Sequence, residues 1–284
     1  MKLRKSQRGQ AKIKLAIQGS SGAGKTYSAL LLAKGLTNGN LNKVAVIDTE
    51  NGSADLYAHL GEYNVLSLEP PYSPEKYIDA IDVCAKANME VVIIDSISQG
   101  WDYLIEFHSK LQGNSFANWA KVTPRQKSFI DKILQTPIHF ICTMRTKQDY
   151  VLNQKDGKYI PEKVGLKAIQ RDGVEYEFTI VFDVDSKHYT KASKDRTNLF
   201  TEKPEFKINE STGKKILDWC NSPISSEEVE AKINDCRSIE ELSEVYHNHP
   251  SFQNLLGNLF TKRKSEILEL SHSQKHKQNG TPIN

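Results

Sequence analysis

Eight consecutive residues, Gly19-Ser20-Ser21-Gly22-Ala23-Gly24-Lys25-Thr26, fit the pattern G-x-x-x-x-G-K-[ST] at every fixed position. The chemistry this run suits is the binding of a phosphate chain. Glycines let the backbone wrap closely around phosphate oxygens, so that successive N–H groups point inward. Lys25 is then placed to reach the β- and γ-phosphates, and the Thr26 hydroxyl to ligate Mg²⁺. Tyr27, the next residue, joins the set expected to touch the nucleotide. A chance Gly/Ser-rich turn would give a similar composition, but it would not need the flanking elements that this chain supplies.

Two carboxylates extend the constellation. Asp95 closes the apolar run Val91-Val92-Ile93-Ile94, and a carboxylate at the end of a buried strand beside a phosphate loop can hold Mg²⁺ or its water. Its plainer role would be to cap the turn that follows. Glu50 lies just past the run Val44-Ala45-Val46-Ile47-Asp48, on the edge where α/β proteins bind ligands. Hydrolysis needs a group there to orient or deprotonate the attacking water. Asp48 is the alternative, although its place nearer the strand suits a structural role better.

These residues need a scaffold, and the sequence predicts one. An apolar strand over 13–17 leads into the phosphate loop and a helix over 27–36 leads out, adding its positive dipole end. Further strands are expected over 43–48, 65–68, 91–95 and 138–142. A helix should open at Ser73-Pro74, with others over 101–111 and 124–134. Continuous apolar strands alternating with helices imply an α/β fold with a mainly parallel central sheet flanked by helices. Asp156-Gly157 marks the turn of a β-hairpin, and strands over 178–184 and 188–192 should return to the sheet. Composition shifts near Ser222-Pro223. Capping boxes at Ser225 and Ser238 predict a helical appendage over 222–270, after a core of residues 1–221. The polar stretch 271–284 reads as a disordered tail.

Composition narrows the setting. The 284 residues are 38% hydrophobic and 26% charged, ordinary for a soluble globular chain. No apolar run approaches the roughly 20 residues that span a bilayer, and no signal-peptide core follows the basic N-terminus, so a cytoplasmic protein without a membrane partner is expected. The four cysteines are scattered, which suits reduced, buried thiols better than a zinc site. A net charge of +3 is too mild to demand a nucleic-acid partner, but its distribution is uneven. Arg145, Lys147, Lys155, Lys158 and Lys163 cluster after the strand over 138–142, with Tyr150 and Tyr159 among them. Cations could neutralise phosphates there while the tyrosines stack on bases. A structural hairpin whose tyrosines pack on the core is the alternative.

The stretches "AIQGSSGAGKT", "VAVIDTENGSADLY" and "VVIIDSIS" resemble the core of RecA-type ATPases. That family places a catalytic glutamate after its second strand in an Asp-x-Glu arrangement, and its metal-associated aspartate in an Asp-Ser pair. Glu50 and Asp95 match those places. "AIQRDGVEYEFTIVFDVD" and "KASKDRTNLF" are similar to phage- and prophage-encoded RecA-like ATPases, some implicated as single-strand annealing recombinases of the Sak type. The resemblance spans residues 11–205. It implies ATP and Mg²⁺ as cofactors, single-stranded DNA as partner, and a homo-oligomer with ATP at its subunit interfaces. Lys194-Asp195-Arg196 resembles the finger motif with which such assemblies reach a neighbour's γ-phosphate, making Lys194 and Arg196 candidate catalytic cations. RecA carries an amide side chain after the strand corresponding to 138–142. Here Thr143 or Arg145 stands in its region. The C-terminal helices are candidates for docking a single-strand-binding or recombination protein. Two other classes compete with a DNA-active ATPase: a P-loop kinase for a small molecule, and an ATP-dependent switch or scaffold.

Overall fold

In a computed structural model, the backbone is described for residues 11–155, 158–221 and 226–278. Side chains are described over the same residues except 148–166, 251 and 271–278. The described chain divides into a unit of residues 12–217 and a second that begins at Asp218.

The larger unit opens with β1 (Lys14–Gly19), the phosphate loop and α1 (Lys25–Leu36). It continues through β2 (Val44–Asp48), β3 (Asn64–Ser67), α2 (Pro74–Lys86) and β4 (Val91–Asp95). After α3 (Ser98–Ser109) and α4 (Ser115–Gln135) come β5 (His139–Lys155), β6 (Lys158–Ala168), β7 (Ile180–Val184) and β8 (Thr190–Asp195). The strands join in the order β3-β2-β4-β5-β1-β7-β8, with β6 paired to β5. Pairing is parallel from β3 through β7, and antiparallel only for β7–β8 and β5–β6. This is the expected α/β sheet. Its central strands are apolar on both faces because helices cover both. Val91 to Ile94 and Leu15 to Ile17 are essentially inaccessible to water. Tyr77, Phe129, Phe140 and Phe178 fill the core against them.

Three elements differ from the sequence reading. Pro124 does not open a helix. α4 begins at Ser115, where the Asn114 side chain accepts from the Phe116 and Ala117 N–H groups at 2.9 and 3.3 Å, and Pro124 lies inside it. Proline favours a first turn, but an Asn cap satisfies more of the orphan donors. β5 does not stop at Cys142: it runs on as a hairpin arm, because β6 supplies backbone partners from Lys155↔Lys158 back to Thr146↔Ala168. The turn at 156–157 lies outside the described residues. β8 extends through Asp195, so Lys194 lies on a strand rather than beyond it.

α5 (Glu210–Asn221) crosses the division between the units. The second unit then carries α6 (Ser226–Asp235), α7 (Ile239–Asn248) and α8 (Gly257–Gln278). Val229, Ile233, Leu242, Phe252, Phe260 and Ile267 form its own small core. Ser238 caps α7 by accepting from the Glu241 N–H at 3.1 Å. Ser225 lies outside the described residues. α8 continues to Gln278, past Ser271 where composition predicts the tail. Its Lys and Gln residues are good helix formers. All four cysteines are buried. No helix among the described residues is long and apolar enough to cross a membrane.

Candidate functional site

The carboxyl ends of β1, β2, β4 and β5 converge because these strands are parallel neighbours. In register, Asp48 sits beside Asp95, and Gly19 beside Arg145. The chain leaves β1 into the phosphate loop, where Gly22 and Gly24 adopt φ of 77° and 85°. Side chains other than glycine rarely take that conformation, and Gly24 also lies against the His188 ring, where a Cβ would stand 3.0 Å from Nδ1. His188 Nδ1 lies 3.0 Å from the Ala23 carbonyl oxygen and so steadies the loop from β8's side. The Lys25 ammonium donates to the Ser20 carbonyl at 2.8 Å, folded back over the loop.

Behind the loop lies a hydrogen-bonded acidic centre. The Thr26 hydroxyl donates to Asp95 Oδ2 at 2.5 Å, and the Thr143 hydroxyl donates to Asp95 Oδ1. Thr143 is fully buried, so it sits behind the carboxylate rather than facing the cleft. Burial raises the Asp95 pKa above the ordinary carboxylate value. The two hydroxyl bonds oppose that shift, and the Glu50 and Asp48 charges add to it. Burial likewise lowers the Lys25 pKa, against the pull of Asp95 and Glu50. Asp48 is structural: its carboxylate accepts from the Glu50 and Ala54 N–H groups at 2.6 and 3.3 Å, bending the chain after β2 so that Glu50 faces the cleft. Thr49 links the strands, donating to the Asp95 carbonyl at 3.1 Å and accepting from Ser96 N–H at 2.9 Å.

Glu50 is held on two sides. Ser96 donates to its Oε1 at 3.0 Å. Arg145 grips it bidentately, through Nε at 2.9 Å and through Nη2. This pairing holds the Arg145 pKa above its ordinary value. The sequence places Arg145 among cations expected to meet a nucleic-acid backbone, whereas the structure sets it in the cleft against Glu50. The reason is register: β5 delivers residue 145 beside Gly19, at the sheet edge.

These groups line one cleft of about 860 Å³, bordered by Lys25, Thr26, Tyr27, Glu50, Asp95 and Arg145. Tyr27 packs against Tyr57, ring centroids 5.5 Å apart, and both border the cleft. Ser96 is the serine of the Asp-Ser pair, whereas the sequence assigns His188 and Tyr57 no role and only the fold brings them in. Lys194 and Arg196 do not border it. Lys194 donates to the Glu175 and Tyr176 carbonyls at 3.0 and 2.5 Å, and Arg196 to the Tyr176 carbonyl at 2.9 Å. Lys147 is exposed on β5. The side chains of Tyr150, Lys155, Lys158, Tyr159 and Lys163 lie outside the described residues.

Chemically, the cleft offers a glycine-rich phosphate loop, one ammonium, a hydroxyl–carboxylate pair suited to a hard cation, and one cleft-facing carboxylate. Residues 11–219 match the family model described as AAA domain. The chain therefore belongs to that family of P-loop ATPase-type domains. No curated protein matches it.

Proposed function

We propose that this AAA-family chain is an Mg²⁺-dependent ATPase acting on single-stranded DNA in recombination, annealing or repair, with ATP bound between copies of the chain. The observation that carries the ATPase reading is the meeting of a complete phosphate loop, the Thr26–Asp95 pair and Glu50 in one cleft. The donor set fits a magnesium nucleotide. Thr26 Oγ1 and Asp95 Oδ2 are hard oxygen ligands 2.5 Å apart, and the loop glycines leave the backbone N–H groups uncovered. When bound, the cation draws charge from the phosphate oxygens.

The residues then have separate tasks. Lys25 leaves the Ser20 carbonyl to hold the β- and γ-phosphates. Glu50 orients a water and accepts its proton on a carboxylate oxygen. Ser96 fixes that carboxylate's direction. Arg145 holds it too, but a bidentate guanidinium also weakens it as a base. A terminal phosphate competing for Arg145 would free Glu50 to act, which makes Arg145 the candidate sensor in place of Thr143. Lys194 and Arg196 serve a neighbouring subunit's cleft. Their distance from their own cleft's lining is compatible with that role. The basic sequence after Cys142, with Lys147 exposed, supports the DNA partner. The helices of the second unit are proposed to dock a single-strand-binding or recombination protein.

The Arg145 grip favours one alternative, a switch in which bound ATP holds an assembly together without turnover. Steady-state ATP hydrolysis separates the two, measured at two protein concentrations, with and without single-stranded DNA, at low and high salt. The proposed enzyme turns over faster per subunit when concentrated and when DNA is present, and the DNA effect fades with salt. Tight ATP binding without turnover would establish the switch.

A further inference from the structure

A second groove, of about 1140 Å³, opens on the larger unit between α3, α4 and the base of the β5–β6 hairpin. Its aromatic lining is unusual. α4 buries Val122, Gln126, Phe129 and Ile133 on one stripe. Phe116 and Trp119 lie off that stripe, three residues apart and so on one face. Phe116 is 87% exposed, the most open large apolar side chain among the described residues. Trp119 stacks with two rings of α3, His108 4.2 Å and Trp101 6.0 Å away by centroid, each within 23° of parallel to it. Exposing these rings costs solvation that an interior position would recover.

The charged part of the remaining lining carries more cations than carboxylates: Lys147, Lys167 and Arg171 against Asp102 and Asp172, with Asp172 already paired with Lys167 at 2.8 Å. The groove also adjoins the nucleotide cleft. Ile169 borders both, and its N–H donates to the Arg145 carbonyl at 2.7 Å.

We infer that this groove binds single-stranded nucleic acid, with bases stacking on Phe116 and the Trp119 stack, and phosphates meeting Lys147 and Arg171. The inference rests on the DNA-active reading above and places its contact here rather than on the hairpin arm alone. Flat rings beside cations suit bases, because every base has a π-face whatever its sequence. An apolar peptide would leave the cations unanswered. Strand β5 joins the two sites: Lys147 lies two residues beyond Arg145, so occupancy of the groove bears on the strand that presents the arginine holding Glu50.

Two of the three tryptophans, Trp101 and Trp119, line the groove, so tryptophan emission reports its occupancy. The test titrates the full chain, as wild type, Phe116→Ala and Phe116→Tyr, with labelled oligothymidylate. Anisotropy, tryptophan emission and ATP turnover are read together. The inference expects emission to be quenched on binding. Phe116→Ala should weaken binding about fivefold or more and lose the DNA stimulation of turnover while keeping its DNA-free rate, and Phe116→Tyr should restore both. If the wild type binds DNA with unchanged emission and Phe116→Ala binds equally well, the groove is not the site, although the DNA-active reading stands. If the wild type does not bind DNA at all, that reading falls and takes this inference with it. Quenching by an apolar peptide but not by oligothymidylate overturns it as well.

Discussion

The stretch of β5 paired within the parallel sheet, from His139 to Arg145, carries ionisable groups in opposite circumstances at its two ends. At its start, His139 accepts from the Ile13 N–H through Nδ1 at 3.1 Å. Beside it the Lys14 ammonium donates to the Thr136 and Ile138 carbonyls at 2.7 and 2.6 Å, lying 4.5 Å from the Phe140 ring centroid. Burial pushes His139 down to about 3 and Lys14 down to about 8. Both side chains are buried, and every contact named is internal. At the other end, Arg145 grips Glu50, Asp95 accepts from Thr26 and Thr143, and Lys25 donates to the Ser20 carbonyl, but Arg145, Glu50, Asp95 and Lys25 line a cleft. A perturbed ionisable group therefore marks function only where a ligand can reach it. The buried groups at the closed end fix the edge of the sheet. Those at the open end line a cleft that a ligand can enter.

Substitutions at the two ends should accordingly fail in different ways. The largest effect is expected from Lys25→Ala. Turnover should fall by about 10²–10³-fold or more with nucleotide binding weakened, while the thermal midpoint of the nucleotide-free protein stays near wild type. A large loss of stability with binding intact would make the open end structural after all. Next in size is a mixture of Lys194→Ala and Glu50→Gln chains. If the fingers act across an interface, mixed assemblies contain some clefts with both an intact Glu50 and an intact neighbouring Lys194. Activity should then recover to a substantial fraction of wild type, and no recovery at any ratio in confirmed mixed assemblies would confine those cations to their own subunit.

The closed end should respond to pH through stability alone. His139 has a folded-state pKa below its ordinary value of 6.5, so the unfolded chain takes up the proton first. Its contribution is complete above about pH 6.5 and declines as pH falls towards about 3, with a slope of at most ~1.4 kcal/mol per pH unit. Urea unfolding at pH 7 and pH 5 should show this decline in the wild type. His139→Gln keeps an acceptor for the Ile13 N–H and should flatten it. Equal slopes in both proteins would remove His139 from the account.

Much of the open end was legible because its signals are local. The phosphate loop is contiguous, and Asp95 and Glu50 each follow an apolar run whose end sets the ligand edge. Arg145 was harder to place. Its partner lies 95 residues away in sequence, and pairing depends on the register of β5 beside β1. Read as one of a series of basic residues, it looked like part of a nucleic-acid surface. Pro124 misled for a different reason: its preference for a first helical turn is real, but it yields to the Asn114 cap ten residues before the start assigned to it from sequence. The hairpin was legible from Asp156-Gly157, but not the continuation of β5 into its first arm, because the stretch from Thr143 to Asp149 is largely polar and from Thr146 onward is held by pairing with β6. The aromatic groove could not be read from Trp101, Phe116 and Trp119 separately, because buried and exposed aromatic positions on a helix look alike until its buried face is known.

The most direct test of the central claim is to measure ATP affinity and single-turnover hydrolysis on Glu50→Gln beside the wild type. If Glu50 is the base of a hydrolytic cleft, the variant keeps wild-type affinity while its hydrolysis rate falls by about 10²–10⁴-fold. Hydrolysis at the wild-type rate in that variant would contradict the account.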